Sequence, residues 1–179
     1  MLAAWAVLCI IWGLLGWRSK RPAESAGNRF MSIHLLLMGS AFVFAFMSRR
    51  ILPWRLWPDT PTIVWLGAAL TCVGVTFASW SRVYLGTNWS GTPTIKVSHE
   101  LVRRGPYALA RHPIYSGIWL GLVGGAVGAG DVQALLAVAL LSAAYVRKIA
   151  VEERQLRAHF GAAYDEYAKH VRAFIPFLV

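Results

Sequence analysis

The chain has 179 residues, of which 57% are apolar and only 15% charged, with a mean hydropathy of +0.51, nine tryptophans and a formal charge of +10. Water-soluble domains carry about 25% charged residues, which argues against a soluble enzyme, a disordered tail or a nucleic-acid-binding module and for a one-domain integral membrane protein. In that setting an excess of Lys and Arg reports orientation and not a polyanion partner.

Stretches free of Asp, Glu, Lys and Arg run over 1–17, 30–48, 60–81, 112–130 and 132–146. Most approach the roughly 20 apolar residues that a crossing helix needs, so five transmembrane helices are expected. The first lacks a basic leading segment and a small-residue cleavage site, and reads as a retained helix. Cys9 and Cys72 lie in apolar runs away from any metal-ligand spacing and read as buried small side chains. His34 is alone in the second stretch, where polar groups are costly and often functional; packing within the bundle is its preferred reading. Trp54 and Trp57, with Pro53 and Pro58, suit the outer interface, and Trp17 and Trp89 the inner one.

In the fourth stretch Gly117, Gly121 and Gly125 recur every four residues, with Gly124 and Gly128 beside them. Small residues so spaced let helices approach closely in lipid, and no phosphate-cradling GxGxxG is present. Residues 128–131, Gly-Ala-Gly-Asp, are a turn signal, so 113–160 should form a tight helical hairpin. Its second helix continues in good helix formers to Phe160, with Gly161 as C-cap. At 1.5 Å per residue, residues 132–160 span about 43 Å, more than the roughly 30 Å hydrocarbon core. The last three turns therefore project beyond the bilayer with Lys148, Glu152 and Glu153 at their base. Tyr164, Tyr167, Val171 and Phe174 then recur at helical spacing, an amphipathic segment over 162–179.

Of the 18 basic residues, 15 fall in the segments that follow the first, third and fifth stretches; Arg49, Arg50 and Arg55 fall on the other side. The positive-inside rule places the N-terminus outside and the C-terminus in the cytoplasm. Residues 1–81 thus supply three spans, and 82–179 the other two together with most of the polar residues. Polar chemistry concentrates in two cytoplasmic segments, 82–115 and 148–172. A connector as long as the first is usually functional or disordered, and its aromatic and apolar content argues against disorder.

The run GPYALARHPIYSG at 105–117, EERQLRAHFGAAYDEY at 152–167 and the closing FIPF at 174–177 resemble the isoprenylcysteine carboxyl methyltransferase family. More broadly they are similar to integral-membrane methyltransferases that share RHPxY and Glu-Glu with phospholipid N-methyltransferases. The resemblance covers roughly residues 82–178, and the first two spans match in hydropathy alone. It implies methyl transfer from S-adenosylmethionine to a lipophilic or prenylated acceptor that enters from the bilayer, at a cytoplasmic site built by 82–115 and the extended last helix. A bacterial inner membrane or its equivalent is the expected location. The family's cofactor contacts fall on His99, Glu100, Leu101, Val102, Tyr107, His112, Pro113, Ile114, Tyr115 and Glu152, and a basic substrate contact falls on Lys148. Eukaryotic members have an arginine there, so the charge is kept and the bidentate fork lost.

The residue chemistry is compatible with this. Leu101, Val102 and the Gly105–Pro106 turn can offer adenine an apolar slot with backbone partners. Glu152 and His112 suit ribose hydroxyls and an ammonium group. Tyr107 or Tyr115 can face a sulfonium, and Arg111 a carboxylate. Pro113 fits the first helical position. A carboxylate acceptor needs no general base, whereas an amine acceptor would need one, with Glu152 nominated. Plainer readings stand beside these: His112 as a helix cap, Arg111 as an interfacial anchor, Glu153 in a helix pair with Arg157. His99 and His159 have no partners at metal spacing, so no metal is expected. The enzymatic alternatives are a phospholipid N-methyltransferase or a thiol methyltransferase; the non-enzymatic one is a haem-binding or transport protein with His34 and His112 as ligands.

Overall fold

A computed structural model describes residues 1–16, 28–46, 54–90 and 100–174. They form helices α1 (Leu2–Gly16), α2 (Asn28–Phe46), α3 (Pro61–Leu85), α4 (Pro113–Ala129), α5 (Val132–Phe160) and α6 (Ala162–His170). The five apolar stretches become the first five helices. Two of these, α3 with its short extension to Asn88 and α5, are long and apolar enough to cross a membrane, while α1, α2 and α4 are apolar but shorter.

Local chemistry sets the helix ends. Thr60 caps α3 by accepting from the Ile63 N–H, with Pro61 at the first position. Pro113 likewise opens α4. Gly130, at φ 66°, ends α4 in the left-handed region and donates its N–H to Ala126. Asp131 then caps α5, accepting from the Ala134 N–H at 2.8 Å. The α4–α5 turn is therefore as tight as the sequence predicts, and a side chain at Gly130 would meet the Trp57 carbonyl at 2.7 Å.

The bundle is organised around the α3–α4 seam, where backbone meets backbone. A Cβ at Gly74 would lie 2.5 Å from the Gly117 carbonyl, and one at Gly124 would lie 2.5 Å from the Thr71 nitrogen. Thr71 stitches the seam by donating its hydroxyl to the carbonyls of Gly67 and Gly121. Trp5 of α1 closes over Gly121, edge-on to Phe42 and Phe46 of α2. On the other side α2 lies along α5, where Gln133 donates to the Phe44 carbonyl at 2.8 Å.

Outward faces remain apolar, including Leu36, Trp65 and Val146. Cys9 and Cys72 belong to this outward set, which corrects the expectation that they are buried. A helix apolar all round shows no preferred face to sequence inspection.

The C-terminal segment also departs from expectation. Helix α6 ends at His170, and Val171 and Phe174 are not helical. Backbone pairing wins over periodicity: the Arg111 and His112 N–H groups donate to the carbonyls of Arg172 and Ala173 at 2.8 and 2.9 Å. The Ser116 hydroxyl continues this clasp to the Phe174 carbonyl. Residues 175–179, in the expected amphipathic segment, lie outside the described residues, as do Trp17, Pro53 and His99.

Candidate active site

At one end of the bundle, the polar segment before α4 meets the extension of α5 and helix α6. Residues 152 and 153 are consecutive glutamates on α5 with different surroundings. Glu153 is buried and saturated. Arg111 grips it through Nε and Nη2, both at 2.9 Å, in a bidentate fork. His112 Nε2 lies 2.9 Å from it, the Tyr164 hydroxyl donates to it at 2.6 Å, and Arg157 reaches it at 3.3 Å. The remaining Arg111 nitrogen donates to the carbonyls of Ala168 and Val171. Arg111 is thus a brace that ties α5 and α6 to the entrance of α4.

Glu152 is turned differently. It accepts from the Tyr115 hydroxyl at 2.7 Å, lies 3.4 Å from His112 Nδ1 and 4.0 Å from Lys148 Nζ, and lines a cavity. His112, the residue that opens α4, therefore bridges the two glutamates with its two ring nitrogens.

The electrostatics follow from these pairs. Burial works against a charged imidazole at His112, but the two carboxylates outweigh it and raise its pKa. Burial likewise pushes Glu153 up, and the hydrogen bonds from His112, Arg111 and Tyr164 more than reverse this, holding it well below the usual carboxylate range. Burial and the adjoining carboxylate push the Tyr164 hydroxyl up, so it remains a donor.

The cavity has a volume of about 120 Å3 and opens to solvent. Expected site residues Glu100, Leu101, Val102, Tyr107, Arg111, His112, Pro113, Ile114, Tyr115 and Glu152 all line it. Gly105 does not. At φ 59° it makes the turn into the short helix Gly105–Ala108, where a Cβ would meet the Tyr84 ring at 2.7 Å. Lys148 also stands outside the lining, with its ammonium 5.2 Å from the Tyr115 ring centroid.

Several lining residues are not among the expected site residues, although Trp89, Tyr164 and Tyr167 stand out in the sequence as interfacial or amphipathic positions. Leu85, Asn88 and Trp89 come from the end of α3, Gln155 and Leu156 from α5, and Tyr164 and Tyr167 from α6. Trp89 is held by the buried Arg82 guanidinium 4.3 Å from its ring centroid. Tyr167 donates to the Tyr107 carbonyl, which fixes the 105–108 turn beneath α6. Among the described residues no group of three or more His, Cys, Asp or Glu side chains is placed to hold a metal.

The sequence profile of the phospholipid methyltransferase family matches residues 62–163. The chain is 32% identical to a nickel-cobalt-cadmium resistance protein, NccN, of Alcaligenes xylosoxydans xylosoxydans, over 88% of this chain and 73% of that protein. It is 28% identical to a probable protein-S-isoprenylcysteine O-methyltransferase of Oryza sativa subsp. indica, over 85% of this chain and 84% of that one. Among solved structures it superposes on a eukaryotic intramembrane Ras methyltransferase, isoprenylcysteine carboxyl methyltransferase, with a TM-score of 0.60 at 24% identity, covering 80% of this chain and 52% of that one. The region matched by the family profile begins in α3 and ends at the start of α6, and so includes both glutamates and most of the cavity lining, with Tyr164 and Tyr167 just beyond it. The chain is a membrane methyltransferase that belongs to the phospholipid methyltransferase family.

Proposed function

We propose that the chain methylates the carboxylate of a prenylcysteine-like acceptor with S-adenosylmethionine as donor, at the cytoplasmic face of a five-span bundle. The division of labour between Glu152 and Glu153 carries this reading. One carboxylate is consumed by the protein's own cations, while its neighbour faces the cavity with a hydroxyl and an imidazole to orient it.

The cavity's chemistry fits the donor. Leu101, Val102 and Leu156 provide apolar surface for adenine, Glu152 suits ribose hydroxyls or an ammonium, and Tyr107 and Trp89 are aromatic walls suited to a cation. His99 and Glu100 belong to the proposed cofactor set with Pro113, Ile114 and Tyr115. Arg111 contributes by locking Glu153 and His112, so that His112 holds Glu152. A bound donor would supply an electrophilic methyl on sulfonium sulfur; an acceptor carboxylate oxygen would form the new bond to that methyl carbon as the carbon–sulfur bond breaks, its electron pair staying on sulfur and the neutral thioether leaving.

No proton moves in such a step, so the protein's tasks are alignment and exclusion of water. Lys148 would hold the acceptor carboxylate beside Tyr115, and α6 with the 171–174 clasp would screen the cavity. The apolar outer faces suit lateral entry of a prenyl chain from lipid. Orientation follows from the 15 basic residues on the site's side of the membrane.

Calorimetric titration of detergent-purified protein with S-adenosylhomocysteine tests the donor assignment. We expect binding that weakens about 10- to 100-fold in Glu152→Ala, roughly 1.4–2.7 kcal/mol, and binding nearly unchanged in Lys148→Ala, whose acceptor KM rises instead. An unaltered affinity in Glu152→Ala would overturn the assignment. A rate that climbs with pH through the neutral range would favour an amine acceptor, whereas a carboxylate acceptor gives a flat profile.

A further inference from the structure

Two buried side-chain atoms close to Glu152 have no hydrogen-bond partner among the described residues: His34 Nδ1 and the Tyr145 hydroxyl. Both side chains are almost wholly enclosed, His34 at 5% and Tyr145 at 2% exposure, and neither lines the cavity. An unsatisfied buried polar atom costs about 1–3 kcal/mol, and more within hydrocarbon, where water cannot compensate. Leucine and phenylalanine would fill the same positions without that cost.

The two orphans belong to one place. The His34 ring stacks on Phe30, takes the Ala144 backbone of α5 as its hydrogen-bond partner, and has the charges of Lys148 and Glu152 as neighbours. Tyr145, the residue after Ala144, stacks on Tyr115 at 4.7 Å between centroids. Tyr115 in turn donates to Glu152 and carries the Lys148 ammonium over its ring. Helix α2 thus brings a polar group to α5 one helical turn before Lys148.

The donor and acceptor characters of this set are specific. Lys148 offers a cation and Tyr145 an O–H. With one ring N–H committed to the Ala144 carbonyl, a neutral His34 offers Nδ1 as an acceptor. A carboxylate together with an adjacent N–H complements all three, and an acylated cysteine carries both on neighbouring bonds.

We propose that His34, Tyr145 and Lys148 form the headgroup subsite for the methyl acceptor, in which His34 Nδ1 accepts the amide N–H of the acceptor's cysteine and Tyr145 and Lys148 take its carboxylate. His34 is then a specificity-determining residue supplied by α2. The proposal rests on the carboxyl methylation reading above and adds to it a preference for an amide-bearing acceptor.

The test uses two probe acids, N-acetyl-S-farnesylcysteine and the same thioether acid without its acetamido group. A site built around a hydrogen bond discriminates against the analogue that lacks it, so wild type should use the first with kcat/KM at least tenfold higher. His34→Phe, which keeps ring stacking, should cut that ratio to about twofold by raising KM for the first acid alone. His34→Gln, which retains an acceptor oxygen, should restore most of it. Tyr145→Phe should raise KM for both acids, and S-adenosylhomocysteine affinity should stay within about twofold in every variant, which also reports that each has folded. Equal use of the two acids by wild type, or an equal loss on both in His34→Phe, would overturn the proposal. Wild type that binds S-adenosylhomocysteine yet methylates neither acid would overturn the acceptor reading and this subsite with it, and failure to bind it at all would remove the donor reading beneath both.

Discussion

The α3–α4 seam and the ion cluster at its end are assembled by opposite means. The seam has no charged group and owes its closeness to missing side chains: Gly67, Gly74, Gly117 and Gly124 bring two backbones into contact. The cluster is held by long polar side chains that reach across 41 or 42 residues of sequence, with Arg111 and His112 converging on Glu153. In lipid, association between helices depends on close packing, because tails are as apolar as leucine. Beyond the apolar segments, water competes for every hydrogen bond, and a buried carboxylate persists only if it is fully paired. Stability and chemistry are thus one residue apart on α5, since Glu153 belongs to the framework and Glu152 to the cavity.

The most direct test of this division is to remove each glutamate in turn. Glu153→Ala leaves the Arg111 guanidinium buried without its carboxylate, and breaking a buried pair on one side costs about 3–5 kcal/mol. For a chain of this size that corresponds to a fall in Tm of roughly 10 °C, readable by thermal unfolding in detergent. Glu152→Ala should cost about 1 kcal/mol or less in stability while losing S-adenosylhomocysteine affinity. If the two variants unfold alike, the division between framework and cavity is wrong.

How far the sequence announces these features depends on the range of the interactions that make them. The helices and their ends are legible because their causes are local: charge-free runs, Thr60, Pro61, Pro113, Gly130, Asp131 and Gly161. Much of the cavity lining is also legible, through the resemblance carried by 105–117 and 152–167. Glu153 is not, because its neighbour at i+4, Arg157, offers a sufficient local partner at 3.3 Å and nothing in the spacing points to Arg111. The end of α6 is missed for the same reason. Tyr164 and Tyr167 are buried as the periodicity predicts, but the chain leaves the helix at Val171 so that the carbonyls of Arg172 and Ala173 can accept from the Arg111 and His112 N–H groups some 60 residues away. Burial direction is the weakest signal of all on helices apolar all round, as the outward Cys9 and Cys72 show.

The seam offers the next largest effect. In Gly74→Ala the new methyl would lie 2.4 Å from the Gly121 nitrogen and 2.5 Å from the Gly117 carbonyl, both backbone atoms that cannot rotate away. The helices must separate, and overpacking of this kind costs up to about 3 kcal/mol. Gly125, one of the glycines that the four-residue spacing assigns to packing, has open space where a Cβ would stand, with no atom within 4 Å. Gly125→Ala should therefore leave Tm unchanged or raise it slightly, since alanine favours helix by up to about 1 kcal/mol. Equal losses in the two variants would show that the whole glycine stripe, and not its α3-facing members, makes the seam.

The smallest effect distinguishes the cluster from the seam by pH. Glu153 has a folded pKa held below its ordinary value near 4.5, so its contribution is present above that value and lost as pH falls through the folded pKa. His112 has a folded pKa raised above 6.5, so its contribution is complete below 6.5 and lost as pH rises through the folded pKa. The cluster is therefore strongest between about pH 4.5 and 6.5, and Tm should decline on the alkaline side as His112 gives up its proton between the two glutamates. A contribution of about 1 kcal/mol corresponds to roughly 2–4 °C. In His112→Gln, which can still donate to one carboxylate but does not titrate, that decline should vanish while the acid-side loss through Glu153 remains. Gly74→Ala, whose damage lies among groups that do not ionise, should lower Tm by the same amount across the range. A slope that persists in His112→Gln would place the titrating group elsewhere and remove His112 as the electrostatic bridge between framework and cavity.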